Sequence, residues 1–166
     1  MSKLLVIAFV TLVFSLGWIS NSMYASASSQ NTQKPFLFNS NGQMVLSTPS
    51  DRVSEDKIHV YDDKIVIDLK DASWATFTPT HSMEPLISER ANGLEIKPKS
   101  FTELKVGDII SYKSEYADGI IIHRIIKTGF DEKGWYAIVK GDNNSEQDPG
   151  KIRFEQVNGV LVGVIY

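Results

Sequence analysis

The chain contains no cysteine and only three histidines, His59, His81 and His123. Without cysteine, disulfide bonds, thiolate zinc sites and a cysteine nucleophile are excluded, and redox chemistry does not indicate the cellular compartment. Three histidines are too few to suggest a histidine-rich metal site. A basic excess is lacking too, because the net charge is -3 and the pI is near 5.6. Such a balance argues against a nucleic-acid partner, which usually requires a basic face.

After Ser28 the chain has no long apolar pattern of helical period and no internal repeat. Ile58–Tyr61 and Lys64–Leu69 flank Asp62-Asp63 and predict a β-hairpin. Other short segments rich in Ile, Val and Tyr predict further strands, at 75–77, 108–112, 119–127, 135–140 and 157–166. We therefore expect an all-β domain over residues 51–166.

The N-terminal segment has a different character. Leu4–Ile19 is apolar and uncharged and follows Lys3. As a helix it would span about 24 Å, slightly less than a ~30 Å hydrocarbon core. Residues 1–27 are either a membrane anchor or a signal peptide cleaved at Ala25-Ser26-Ala27. In both cases we expect the remainder of the chain on the outer side of the membrane. Residues 28–50 are mostly polar and predict a flexible linker.

Three motifs carry the candidate chemistry: Ser82-Met83-Glu84-Pro85, then His123-Arg124, then Gly141-Asp142-Asn143-Asn144 followed by Asp148. A serine hydroxyl is a poor nucleophile unless a neighbouring base takes its proton. A neutral imidazole, with a reference pKa of ~6.5, can accept that proton near neutral pH.

The expected strand pairing brings two of these motifs together. If 119–127 pairs antiparallel with 135–140, His123 lies opposite about Val139. The loop from Gly141 to Asp148 then starts near the level of His123. We therefore expect Asp142 and Asp148 to lie close to the imidazole.

The three motifs resemble those of signal peptidase I of the archaeal and endoplasmic-reticulum type, over Trp74 to Tyr166. The resemblance implies a signal-peptidase/LexA-like β fold with an N-terminal hydrophobic helix and a flexible tether. It implies Ser82 as nucleophile and His123 as general base, where bacterial relatives carry lysine. Asp148 matches the acid that orients the base, and Asp142 supports the loop by hydrogen bonds to its own backbone. The backbone N–H of Ser82 and the hydroxyl of Thr80 match the oxyanion donors.

The same resemblance implies a serine endopeptidase that removes N-terminal signal peptides from exported proteins. No metal or organic cofactor is required. The expected partners are precursor proteins with signal peptides and the lipid bilayer, with further subunits unknown. The expected location is the cell membrane, single-pass, with the peptidase domain on the extracytoplasmic side.

Several alternatives remain open at the level of sequence. His81 stands where the family commonly has glycine, and it is a rival base. Asp142 and Asp148 are also residues that form turns without any catalytic role. The stretch from Ser88 to Pro98 is long enough to shape the cleft. A specialised processing peptidase of the same clan, or a non-catalytic secreted β module that binds a partner, would fit the same pattern.

Overall fold

The computed structural model of this protein describes residues 37–38, 44–45 and 47–166. The helix expected within residues 1–27 and most of the linker expected over 28–50 lie outside the described residues. Within the described part of the chain, no helix is long and apolar enough to cross a membrane. The described residues form strands and short 3-10 helices, so the expectation of an all-β domain is confirmed.

Ten strands occur in the described residues. They are β1 Leu37–Phe38, β2 Met44–Val45, β3 Ile58–Val60, β4 Ile65–Ile67, β5 Ala72–Thr76, β6 Asn92–Ile96, β7 Ile109–Lys113, β8 Ile120–Asp131, β9 Gly134–Lys140 and β10 Val157–Ile165. Short 3-10 helices span Glu55–Lys57, Phe101–Glu103 and Phe154–Gln156. The main sheet has the antiparallel order β5-β6-β10-β7-β8-β9. Strands β1 and β2 form one small sheet, and β3 and β4 form another.

Apolar side chains are buried on both faces of the main sheet. Successive side chains of a strand point to opposite faces, and β7 is buried on both. Ile110 and Tyr112 join a cluster with Ile125, Val139 and Val160. A second cluster contains Ile109 and Leu161 from the sheet and Met83, Ile87 and Ala91 from the segment after Ser82. The main chain beside the candidate nucleophile is therefore part of the core.

The expected hairpin of Ile58–Tyr61 and Lys64–Leu69 is confirmed as β3 and β4. The expected register of β8 and β9 is wrong, because Val139 lies opposite Ile125 rather than His123. Strand β8 continues past residue 127 to Asp131 and turns at Glu132-Lys133, and the register shifts between Ile125 and Lys127. Lys140 consequently pairs with Arg124, and the 141–148 loop begins directly opposite His123.

Strand β6 was not predicted, because Asn92-Gly93 at its start is typical of a turn. Glycine is needed at this position for a packing reason. A Cβ atom on Gly93 would lie 2.8 Å from both Leu161 and Phe77. The strand lies inside the sheet, between β5 and β10, in the stretch that we expected to shape the cleft.

Residues 47–50, assigned from sequence to the end of the linker, are hydrogen-bonded to the domain. The Ser47 carbonyl accepts from Arg124 at 3.2 Å, and the Ser50 N–H donates to Asp108 at 2.8 Å. Asp108 is fully buried and also pairs with Arg52 at 2.6 Å. These contacts place residues 47–52 in the folded domain, since each satisfies a buried or partly buried polar group.

We predict that Gly107→Ala destabilises the domain more than Gly119→Ala. Both glycines have positive φ, +103° and +84°, which strains any other residue. A Cβ atom on Gly107 would also lie 2.2 Å from the Thr48 carbonyl oxygen, whereas Gly119 has no atom within 4 Å of that position. Urea denaturation should show a loss of about 3 kcal/mol for Gly107→Ala and about 1 kcal/mol for Gly119→Ala. Equal losses would show that the 47–52 segment does not pack as described.

Candidate active site

Ser82 lies on a tight turn whose main chain is held by core residues. Met83 and Ile87 are buried, at 2 % and 3 % exposure, and the Ile87 N–H donates to the Met83 carbonyl at 2.9 Å. This turn places both side chains in the apolar cluster that includes Ile109 and Leu161 of the sheet. Ser82 itself is half-buried. The buried neighbour fixes the position of the serine while its hydroxyl remains accessible.

The hydroxyl of Ser82 lies beside that of Thr80. Their Oγ atoms are 3.1 Å apart, within hydrogen-bond distance. Thr80 was expected from the family resemblance to supply an oxyanion donor, and the structure brings the two hydroxyls together. A donor this close to the nucleophile can reach an oxygen that develops charge during acyl transfer.

His123 and Asp148 form a close pair. Nδ1 of His123 is 2.5 Å from Oδ2 of Asp148, and the two side chains are 9 % and 12 % exposed. The hydroxyl of Tyr112 donates to the same Asp148 oxygen, while the Asp148 N–H donates to the Val139 carbonyl at 2.9 Å. The carboxylate is therefore fixed by β7 and β9 and holds one nitrogen of the imidazole, leaving Nε2 for another partner.

The 141–144 loop joins the histidine and serine motifs. Arg124 donates two hydrogen bonds to Asp142, at 2.7 Å and 2.6 Å, and both side chains are about 95 % buried. The Asn143 N–H donates to the Ser82 carbonyl at 2.9 Å. A Cβ atom on Gly141 would lie 2.6 Å from that same oxygen. Asp142 therefore supports the loop through Arg124, not through its own backbone as we expected from sequence.

His81, the rival base, is directed toward Glu84. Its Nδ1 atom is 2.7 Å from the Glu84 carboxylate, and its side chain is 61 % exposed. The hydrogen bond to Glu84 raises the pKa of His81. His81 adopts a positive φ of 60°, and its carbonyl accepts from the Asn143 side chain at 3.0 Å. This arrangement favours His123 over His81 as the base.

One group in the described part of the chain offers three potential metal ligands. Ligand atoms of His81, Glu84 and Glu89 lie within 4.8 Å of one another. The hydrogen bond between His81 and Glu84 accounts for most of this proximity, and exposed acidic groups often gather without an ion. We assign no metal to this group.

Ser82 and His123 line the same cavity of about 670 Å³. One wall is the edge strand β5 with the segment that follows it, and the opposite wall is the start of β8 at residues 120–123. The described pairing of β9 with β8 begins at Arg124, so this part of β8 has β7 on one side only. The floor includes Glu95, Ser111 and Asn158. The cavity can therefore accommodate an extended chain between two strand edges.

Glu95 is an acidic side chain buried in the floor of this cavity. It is 6 % exposed, and its Oε2 atom accepts from the Ser111 hydroxyl at 2.7 Å. Its Oε1 atom is buried with no hydrogen-bond partner among the described residues, which costs about 1–3 kcal/mol. Burial raises the pKa of Glu95. Gly159 lies beneath the carboxylate, where an added Cβ atom would be 2.5 Å from Oε2.

Sequence reasoning did not single out Tyr112 or Glu95, and it quoted Arg124 only as part of a motif. Tyr112 lies in a strand pattern that predicts a core aromatic residue, and only the folded sheet brings its hydroxyl to Asp148. An arginine following the histidine on an apolar strand was a usable signal, because a buried cation requires a paired anion. The signal for Glu95 was weaker, since β6 itself was not recognised.

Comparisons of this chain with protein-family models, with curated proteins and with solved structures give no match. The functional interpretation accordingly depends on the geometry of the site and on the motif resemblance.

We predict that Asp142→Asn strongly destabilises the domain, because it leaves the buried guanidinium of Arg124 without its anion. Loss of one partner from a buried pair costs about 3–5 kcal/mol. Asp131→Asn is the control, since Asp131 is more exposed in its pairs with Lys151 and Arg153 and should give a smaller loss. Urea denaturation measures both. A loss for Asp142→Asn no larger than the control would contradict a structural role for this pair.

We predict that Glu95→Gln gains stability relative to the wild type as pH rises. Burial raises the pKa of Glu95 in the folded state, so the native protein binds this proton more tightly than the unfolded chain does. The contribution of Glu95 to the free energy of unfolding is fully present below its pKa in the unfolded chain. That contribution is lost as pH rises through its pKa in the folded protein. Glutamine stays neutral and avoids that loss.

Urea denaturation between about pH 4 and about pH 8 covers this window. The difference between Glu95→Gln and the wild type should grow with pH and then level off. Exposed Glu115→Gln controls for the loss of one negative charge. A constant difference for Glu95→Gln across the range would contradict the prediction.

Proposed function

We propose that this chain is a serine endopeptidase of the signal peptidase I kind, which removes N-terminal signal peptides from exported proteins. The observation that carries the proposal is the His123–Asp148 pair, with Nδ1 and Oδ2 2.5 Å apart, whose histidine lines the same cavity as Ser82. An acid that holds one imidazole nitrogen leaves the other to serve a hydroxyl, as in serine peptidases. The three motifs that resemble the family supply these three residues.

In the proposed mechanism, the Ser82 oxygen attacks the carbonyl carbon of the scissile peptide while His123 accepts the hydroxyl proton at Nε2. Asp148 stabilises the imidazolium that forms, and Tyr112 holds Asp148 in place. The backbone N–H of Ser82 and the Thr80 hydroxyl donate to the tetrahedral oxyanion. His123 then gives the proton to the leaving amine. Water attacks the acyl enzyme with the same histidine as base, which releases the acid and restores Ser82.

The cavity walls indicate how a substrate would lie. The edge strand β5 and residues 120–123 of β8 both line the cavity, and each is paired on one side only among the described residues. An extended peptide would form main-chain hydrogen bonds with such an edge. Small side chains before the scissile bond would let the peptide main chain approach the strand closely. In this proposal residues 1–27 tether the enzyme to the cell membrane as a single-pass anchor. The catalytic domain then faces the extracytoplasmic side, where precursors emerge.

A second candidate is a specialised processing peptidase of the same clan. The buried carboxylate of Glu95 in the cavity favours it, because a general signal peptidase that selects small side chains has no evident use for an acid there. The two candidates share the chemistry of Ser82 and differ in substrate range.

We predict that Ser82→Ala abolishes cleavage of a precursor peptide containing an Ala-x-Ala site. Loss of the nucleophile should lower kcat by at least ~10³-fold, with little change in the thermal melt because the hydroxyl is not in the core. Ser88→Ala, in the same segment, is the control and should retain activity. A fluorophosphonate probe should label the wild type and not Ser82→Ala. Absence of labelling in folded wild-type protein would instead favour the non-catalytic binding module.

A further inference from the structure

The cavity beside Ser82 is acidic. Among the described residues, its lining includes Glu95 and Asp118 together with His81 and His123, and it includes no lysine or arginine. Carboxylates that line a cleft attract ligands of the opposite charge. This composition points to a substrate with a positive charge.

Glu95 is held in a position that the fold does not require to be charged. On the same face of the sheet, the neighbouring positions Ile109 and Leu161 are apolar. The carboxylate reaches Ser111 across β10 because Gly159 has no side chain in its path. A single hydroxyl satisfies one oxygen, and the other has no partner among the described residues. Because a buried carboxylate oxygen without a partner is unfavourable, a ligand that donates a hydrogen bond to Oε1 of Glu95 would be stabilised here.

We infer that Glu95 selects the substrate: the cavity binds an extended peptide that carries a lysine or arginine side chain, and the cation pairs with the Glu95 carboxylate. The inference rests on the proposed endopeptidase function and narrows its substrate class. The peptide still presents small side chains next to the cut, and the basic side chain extends over the floor toward β6.

The charge of the cavity favours a cation over a neutral side chain. Its volume of about 670 Å³ can hold a peptide segment that carries a long side chain. Burial raises the pKa of Glu95, and a bound cation would lower that pKa again by stabilising the carboxylate. Asp118 would attract the same cation at the wall of the cavity.

The test uses the full-length protein in detergent micelles with fluorogenic peptides that contain an Ala-x-Ala site. Lysine is placed at each other position in turn, and each peptide is matched by one with norleucine, which has a similar length and no charge. The ratio of kcat/KM for the lysine and norleucine peptides is measured in each variant, so that a general loss of activity cancels. At one position the wild type should prefer lysine by about tenfold or more.

Glu95→Gln should reduce that ratio to near one, whereas Glu115→Gln, an exposed acid outside the cavity lining, should keep it. Glu95→Met, of similar length, provides a second replacement if the glutamine variant does not fold. No lysine preference at any position, or a preference that survives both Glu95 variants, would overturn the inference.

Binding of the same peptides to Ser82→Ala, followed by fluorescence anisotropy, separates the two proposals. Turnover by the wild type without a Glu95-dependent preference in either assay would overturn the substrate inference alone. Glu95-dependent binding of the lysine peptide to Ser82→Ala, without turnover by the wild type, would support the cavity assignment and overturn the endopeptidase function.

Discussion

The ion pair between Arg124 and Asp142 determines how the candidate site is assembled. A guanidinium and a carboxylate that are both about 95 % buried must remain together, because either alone would be an uncompensated charge in the core. The pair fastens the loop that follows β9 to the residue next to His123. That loop then donates from Asn143 to the Ser82 carbonyl and carries Asp148 to the imidazole. A structural ion pair thus holds the loop that contacts the Ser82 main chain and that carries Asp148 to His123. The Ser82 hydroxyl itself lies beside Thr80 and lines the same cavity as His123.

Strand β7 contributes to the site from both of its faces. Tyr112 faces one cluster and reaches Asp148, which holds the proposed base. Its neighbour Ser111 faces the opposite side and donates to Glu95 in the cavity. The two-residue period of a strand gives adjacent residues these separate environments. The proposed base and the proposed substrate contact are therefore positioned by consecutive residues of one rigid element.

Strand existence was largely predictable, because segments such as β9 are rich in β-branched and aromatic residues. In the structure, the side chains of β9 alternate between buried and half-buried positions. Strand ends and register were less predictable. The turn of the β8–β9 hairpin follows Asp131, where Gly134 adopts a positive φ, and the register shifts between Ile125 and Lys127. The sequence predicted a longer loop, from Thr128 to Gly134, between the two strands. The 141–148 loop begins opposite His123 because Lys140, the last residue of β9, pairs with Arg124.

By itself the sequence determined the strand-rich character of the domain and singled out Ser82, His123 and Asp148 as candidates, since local pattern and motif chemistry are encoded in neighbouring residues. Tertiary structure decided which partner each group has: Asp142 binds Arg124, Tyr112 joins Asp148, and Glu95 lies buried beside Ser111. These contacts join residues 16 to 36 positions apart. Strand order and register set them, and no local pattern in the sequence specifies either.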